Sequence, residues 1–397
     1  MAKVKKRVTF RTIPEEKQRL NEIKDGRGDA WRDWGPYLSE RSWGSVREDY
    51  SHDGNAWDYL THDMSRSKAY RWGEDGLAGI SDRYQTLNWS LALWNGNDPI
   101  LKERAFGLTP NEGNHGEDVK DYYFYLDSTP THSYMKYLYK YPQAEYPYKK
   151  LVEENQKRGG SGKEYELLDT GIFDEDKYFD VFVEFAKMSP DDICIRIEAF
   201  NRGPDDAELH IIPHLWFRNI WAYNKEDKRE PTIRTGKTGR DYITVVADDT
   251  EGAILENLPF AYKLGKRLLY AESDGVTMFT NNETNMEEVY GTVDSSQTPY
   301  TKDAFHRHIV NEEFSINPAN HGTKSCIQYK RMIKSGESTV VRLRLTKDRH
   351  DAPLNNFDEL VAQKLAEADE FYNSIHPAKA SEDEKLIQRQ AFAGLMW

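Results

Sequence analysis

The sequence predicts a mainly β protein: an antiparallel two-sheet β-sandwich, preceded by an aromatic, loop-rich region and followed by helices. Three observations carry this reading. Between residues 178 and 346, short alternating or β-branched runs recur between Gly, Asp and Asn turns, the pattern of strands with one face on a core. Beyond residue 356 the apolar spacing becomes helical. Before residue 154, Gly, Asp, Asn and aromatic residues are dense and alternating runs few, which reads as long ordered loops.

Residues 1–30 form a polar lead-in, with "IPEEKQRLNEIKDG" as a short helix. Residues 31–154 are the aromatic, loop-rich region, with short strands such as "RYQTLNWSLALW". The stretch "NQKRGGSGKEYE" (155–166) reads as a flexible connector. Its "GGSGKE" is no phosphate loop, because Lys157 and Glu164 occupy the positions that require Gly and Ser or Thr.

Residues 155–350 are assigned to the sandwich. "YFDVFVEFAK" (178–187), "DICIRIEAFN" (192–201) and "AELHIIPHLWF" (207–217) lead, followed by "YITVVAD", "RLLYAES", "GVTMFT", "SCIQYKRMIK" and "TVVRLRLT". Many short strands with few helices favour two packed antiparallel sheets.

Residues 351–397 are the helical part. Phe357, Leu360, Val361, Leu365, Ala368, Phe371, Tyr372 and Ile375 share helical spacing, with Asn356 and Glu359 as a capping pair and Pro377 after the end. Ser381 and Glu384 fit a capping box for a second helix. Its last seven residues, Ala391 to Trp397, carry no polar side chain, and a helix apolar all round belongs inside something larger. The expectation is an N-terminal piece of a longer protein; the alternative is a helix tucked against the sandwich.

Composition narrows the function. The 397-residue chain exceeds the roughly 250–300 residues at which one core stops growing, so two units or one large sandwich with appendages are expected. A net charge of −13 argues against nucleic acid or an anionic membrane as partner. No secretory signal and no apolar run of bilayer length is visible. The two cysteines, Cys194 and Cys326, lie in strand-like runs and read as buried thiols. A reducing, cytoplasmic location is expected, in which the sequons at Asn88 and Asn282 carry no meaning.

Seven of the ten tryptophans lie between Trp31 and Trp94, and tyrosines cluster in "DYYFYLD" and "SYMKYLYKYPQAEYPY". Such rings stack on sugar C–H faces, and they also fill large cores. The stretch "AYRWGEDGLAGISD" (69–82) sets Arg71, Trp72, Glu74 and Asp75 among glycines at 73, 76 and 79. A glycosidase needs two opposed carboxyl groups, about 5–5.5 Å apart for retention or 6.5–9.5 Å for inversion. Neighbouring Glu74 and Asp75 point apart in any regular backbone, so the stretch reads as a binding or site-shaping loop, or as a structural turn, rather than a source of the catalytic acid.

His210 and His214 share a strand face, as would His306 and His308 if extended; neither pair has the third ligand of a zinc site. No nucleophile elbow, Cys/His signature or dinucleotide fingerprint occurs. No cofactor, no metal and no catalytic residue is assigned to this chain.

The run "WGPYLSERSWGSVREDYS" (34–51), "AYRWGEDGLAG" and "ELLDTGIFDEDKYFDVFVEFAK" together resemble glycoside hydrolase family 63, the mannosyl-oligosaccharide glucosidase group with its cytosolic bacterial and fungal relatives. Trp34 to Tyr37 match that family's Trp-Gly-Pro-Tyr signature. Trp43, Gly44, Ser45, Val46 and Arg47 match its aromatic-Gly-x-Val/Ile-Arg element. The closing "QRQAFAGLMW" resembles the entry into the family's (α/α)6 barrel. The resemblance implies a super-sandwich domain of an inverting glycosidase whose acid and base lie in a barrel absent from this chain. Residues 49–150 depart from the eukaryotic processing enzymes as an extended aromatic insertion, so a cytosolic α-glucoside or related small glycoside is implied rather than a processed glycan. Trp34, Tyr37, Trp43, Arg47, Arg71, Trp72, Glu74 and Asp75 would then wall the mouth of a sugar site. The competing function is a stand-alone carbohydrate-binding or scaffold protein without catalysis.

Overall fold

A computed structural model describes residues 13–397 except 39, 45, 48–58, 114–118, 225, 257 and 293–297. Ser45, the end of the Trp34–Ser51 motif and the first twelve residues of the lead-in lie outside the described residues. In chain order the strands are β1 (Trp34–Gly35), β2 (Leu77–Asp82), β3 (Leu87–Trp94), β4 (Tyr123–Ser128) and β5 (Tyr134–Pro142). Next come β6 (Tyr178–Ser189), β7 (Asp192–Asn201), β8 (Ala207–Phe217), β9 (Thr232–Thr235) and β10 (Tyr242–Asp248). The last are β11 (Lys266–Glu272), β12 (Val276–Thr280), β13 (His321–Gly322), β14 (Lys324–Ile333) and β15 (Ser338–Thr346). Among the described residues the α-helices are α1 (Glu15–Lys24), α2 (His62–Ser67), α3 (Tyr148–Arg158), α4 (Met286–Tyr290), α5 (Ala304–Asn311), α6 (Phe357–Asn373) and α7 (Glu382–Met396).

The strands form two sheets, of six in the order β1-β2-β3-β8-β14-β12 and of nine in the order β13-β9-β10-β11-β15-β7-β6-β5-β4. Each pairing is antiparallel. The period of two explains the layers. On β7, Ile193, Ile195 and Ile197 face the main core with Leu91, Leu93, Leu209 and Leu215 of the smaller sheet. Cys194, of the opposite parity, packs under α6 beside Phe357, Val361 and Ala368. Cys326 lies likewise beneath Phe305 and Ile309 of α5. Both cysteines are free and buried.

Several expectations change. Strands β1 to β5 run through the region expected to be loop-rich, and β3 pairs with β8 while β5 pairs with β6. The strands before and after residue 155 therefore share the same two sheets. The aromatic density is largely core: Trp34, Trp43, Trp89, Tyr137, Tyr139 and Tyr141 are fully buried. The first residues of the expected connector at 155–166 end α3. His306 and His308 stand on a helix, not a strand. Asn356 precedes α6 in a left-handed conformation without a side-chain cap, whereas the Ser381–Glu384 capping box of α7 forms. That last helix inserts Ala393 and Trp397 into the main core and leaves Leu395 82% exposed.

Candidate functional site

The Ala69–Asp82 stretch reaches the surface at Arg71 and Trp72 and then enters β2. Its upper end is tied across the chain: Tyr223 Oη donates to the Ala69 carbonyl at 3.0 Å, and Arg218 Nη1 donates to the Trp72 carbonyl at 2.9 Å. Arg71 and Trp72 are exposed, Trp72 by 49%. The Arg71 guanidinium lies 4.5 Å from the Trp72 ring centre and 5.9 Å from that of Tyr223. These groups line a groove of about 200 Å³ with Ile220, Asn224, Ile254, Leu255 and Glu256.

Below the groove the polar groups are interior. Glu74, 1% exposed, accepts from Asn282 Nδ2 at 3.1 Å. Burial raises its carboxyl above the ordinary range against the pull of Lys302. Lys302 itself is pulled down to about 7, by burial first and then by Arg104. Its ammonium donates to the Ser65 and Lys68 carbonyls and sits 3.7 Å from the Tyr70 ring centre. Asp75 points to Arg104, 3.5 Å from its Nε. The adjacent carboxylates thus diverge, as backbone geometry requires.

The glycines serve close approach rather than a left-handed backbone. A Cβ at Gly76 would stand 2.6 Å from Ser90 Cβ, and one at Gly79 2.6 Å from Leu38 Cδ1. The positive φ of this stretch belongs to Ala78, at the bulge between β2 and β3, where its N–H donates to buried Glu40.

The remaining expected residues separate from the groove. Arg47 is buried, donating to the Trp43 and Leu60 carbonyls and lying over the Trp43 ring. Trp43 packs flat on Gly107, where a Cβ would meet its ring at 2.2 Å. Trp34 is a core residue of β1 whose carbonyl accepts from Lys187. Half-buried Tyr37 donates to the Arg32 carbonyl and meets the His132 ring edge-on. The structure therefore brings Arg71 and Trp72 together at the surface and sets the other six into the foundation. Tyr223, Arg218, Asn224 and Glu256 were not foreseen. For Arg218, Tyr223 and Asn224 the sequence signal is the aromatic- and Asn-containing run that leaves β8 at 214–227, and Glu256 has none.

The foundation has a pH signature. Buried His214 lies 3.8 Å from Glu103, yet burial and then Lys324 pull it down to about 3, so it is neutral at pH 7 and the contact is no ion pair. Below its ordinary value of 6.5 the unfolded chain binds a proton that the fold refuses until about 3. This site's contribution is present above pH 6.5 and is lost as pH falls toward 3. Urea denaturation of His214→Gln should show a shallower loss of stability than the parent between those limits; parallel profiles would refute the assignment.

Fold and groove together define the class of protein: an antiparallel two-sheet sandwich that carries a tryptophan-edged surface groove above a buried ionic foundation. No protein-family model matches the chain. An uncharacterized protein of Saccharomyces cerevisiae is 39% identical over 427 residues, a match that takes in 100% of this chain and 39% of that protein. Among solved structures, a human-microbiome protein assigned as a kojibiose phosphorylase is similar over 84% of this chain and 36% of its own, at 10% identity and a TM-score of 0.25. The family GH92 α-mannosidase of Bacteroides thetaiotaomicron is similar over 52% of this chain and 25% of its own, at 14% identity and a TM-score of 0.24. A family GH92 inverting mannosidase of that organism is similar over 70% and 35%, at 7% identity and a TM-score of 0.24. The chain thus spans about two fifths of the curated relative. Among the described residues, no helix is long and apolar enough to cross a membrane.

Proposed function

We propose that this chain is the sandwich part of a cytoplasmic, glucosidase-like inverting glycoside hydrolase acting on an α-glucoside or related small glycoside. In this reading it shapes the sugar site, and the catalytic carboxylates lie in a helical barrel outside it. The observation that carries the reading is the half-exposed Trp72, with the Arg71 guanidinium over its ring and its carbonyl bonded by Arg218, in a groove whose lining among the described residues has one carboxylate, Glu256. A ring platform without an opposed carboxyl pair suits sugar contact without bond cleavage. The family 63 motifs at Trp34–Arg47 support the glycosidase assignment. The exposed Ile387 and Leu395 of α7, eight residues apart on one side of the helix, supply an apolar stripe for the helical part.

The test is Trp72→Ala in the longer protein. Loss of a stacking anchor costs about 1–3 kcal/mol, or roughly 5- to 150-fold in kcat/KM. Because Trp72 is half exposed, the melting temperature should barely change. Unchanged turnover in a folded variant would remove the groove from the site. Sugar binding by a longer protein that hydrolyses no glycoside would favour the non-catalytic carbohydrate-binding function instead.

A further inference from the structure

The polar edges of the Trp72 groove are mostly hydrogen-bond donors. Arg218, at the exit of β8, spends Nη1 on the Trp72 carbonyl, and no carboxylate among the described residues forms an ion pair with it. The carboxylates that act on it, Glu74 and Asp82, are interior groups whose own carboxyls burial raises. Burial therefore prevails over them and lowers the Arg218 guanidinium from its ordinary value. An anion set against it would offset that cost. Asn224 accepts from the Glu226 and Asp227 N–H groups through Oδ1, at 2.9 and 2.8 Å, which leaves the donor Nδ2 as its remaining edge. Arg71 brings a second guanidinium, over the Trp72 ring at 4.5 Å, a contact that orients a cation without removing its charge. Against these donors the described lining sets one carboxylate, exposed Glu256.

Such a wall selects by charge. A hydroxyl both donates and accepts, whereas a carboxylate or phosphate only accepts and carries the charge that Arg218 lacks a partner for. The planar guanidinium fork also matches the geometry of both groups. At about 200 Å³ the groove is smaller than the roughly 300–1,000 Å³ of a whole small-molecule site. It therefore takes one end of a ligand, and the half-exposed Trp72 ring beside it offers a face to the sugar that bears the acidic group.

We infer that the groove recognises an acidic saccharide, a sugar on Trp72 whose carboxylate or phosphate is bound by Arg218 with Arg71 and Asn224 Nδ2 alongside. The inference rests on the sugar-contact reading of the groove and adds the charge of the ligand. The test is calorimetric titration of the full chain at low ionic strength with glucose, glucuronate, glucose 6-phosphate and inorganic phosphate. Concentrations on the order of 10 mM reach a millimolar Kd. At least one acidic sugar should bind about tenfold or more tighter than both glucose and inorganic phosphate; which one does tells carboxylate from phosphate. Arg218→Gln should weaken that binding about tenfold or more, the loss of a charge-assisted bond. Glu256→Gln should strengthen it a few-fold, because a like charge leaves the wall. Should Arg218→Gln fail to melt cooperatively, exposed Glu256→Gln decides, and unchanged or weaker binding in it overturns the inference. Binding of none of the four overturns it, as does inorganic phosphate binding as tightly as glucose 6-phosphate. Glucose binding as tightly as the acids, and lost in Trp72→Ala, overturns it while leaving the groove a sugar contact. Failure of the sugar-contact reading itself shows elsewhere, as unchanged turnover of Trp72→Ala in the longer protein.

Discussion

Glu103→Gln should destabilise the protein by about 3–5 kcal/mol, the cost of leaving buried charges uncompensated. Glu103 is 6% exposed and lies 2.9 Å from Arg104 Nη1 and 3.5 Å from Lys324 Nζ, both of which are also buried. Burial alone would raise its carboxyl; Arg104 and Lys324 overcome that and hold it well below the ordinary 4.5. Its contribution is therefore present above pH 4.5 and is lost as pH falls through the depressed value. Neutralising the residue leaves Arg104 with Asp75 at 3.5 Å among the described carboxylates, and Lys324 close to Lys302. Adding Lys324→Met to Glu103→Gln should recover part of the loss, because one orphaned charge is removed with it. A midpoint shift worth under 1 kcal/mol at unchanged m would mean that water reaches this cluster. The cluster also bears on the groove, since Asp75 and Glu74 are the residues through which the Trp72 bend is anchored below.

How far the sequence foretold these features depends on what each strand has on its two faces. The runs at 192–201 and 207–217 coincide with β7 and β8, because core on one side and helix or solvent on the other enforces a period of two. β4 and β5 were hidden by their tyrosines. Tyr137 and Tyr139 face the main core while Tyr134 packs outward under α6, so inward and outward positions look alike. The cap at Asn356 failed for a local reason: its left-handed backbone withholds the side chain from the first turn. In the site, Arg71 and Trp72 stand out chemically, but nothing in the stretch distinguishes exposed Trp72 from fully buried Tyr70 two residues earlier. That distinction comes from Arg218 and Tyr223, whose bonds to this stretch span 146 and 154 residues. Trp34 and Trp43 carry the family resemblance and are buried, a placement that their sequence context does not reveal.

Trp397→Ala should cost about 3–5 kcal/mol, whereas Leu395→Ala, two residues earlier, should fall within about 0.5 kcal/mol of the parent. An all-apolar helix end reads as a segment without a partner, and that reading predicts fraying and little loss on removal. The packing indicates the opposite for half of it. Trp397 is 8% exposed, stacks on Tyr125 with centres 4.8 Å apart and approaches Tyr137 and Phe185 of the main core. One turn back Ala393 is fully buried, and Phe392 stacks on Tyr372 of α6. Arg389 adds ion pairs to Asp127 of β4 and Asp369 of α6. Truncating Trp397 would open a cavity between the sheets, so the urea midpoint should fall and unfolding should remain a single transition. Leu395 points the other way, and its truncation removes exposed apolar surface. A large loss for Leu395→Ala with a negligible one for Trp397→Ala would invert the assignment of faces, making the outward face of α7 the one that packs and undoing its proposed role as the surface that meets the helical barrel.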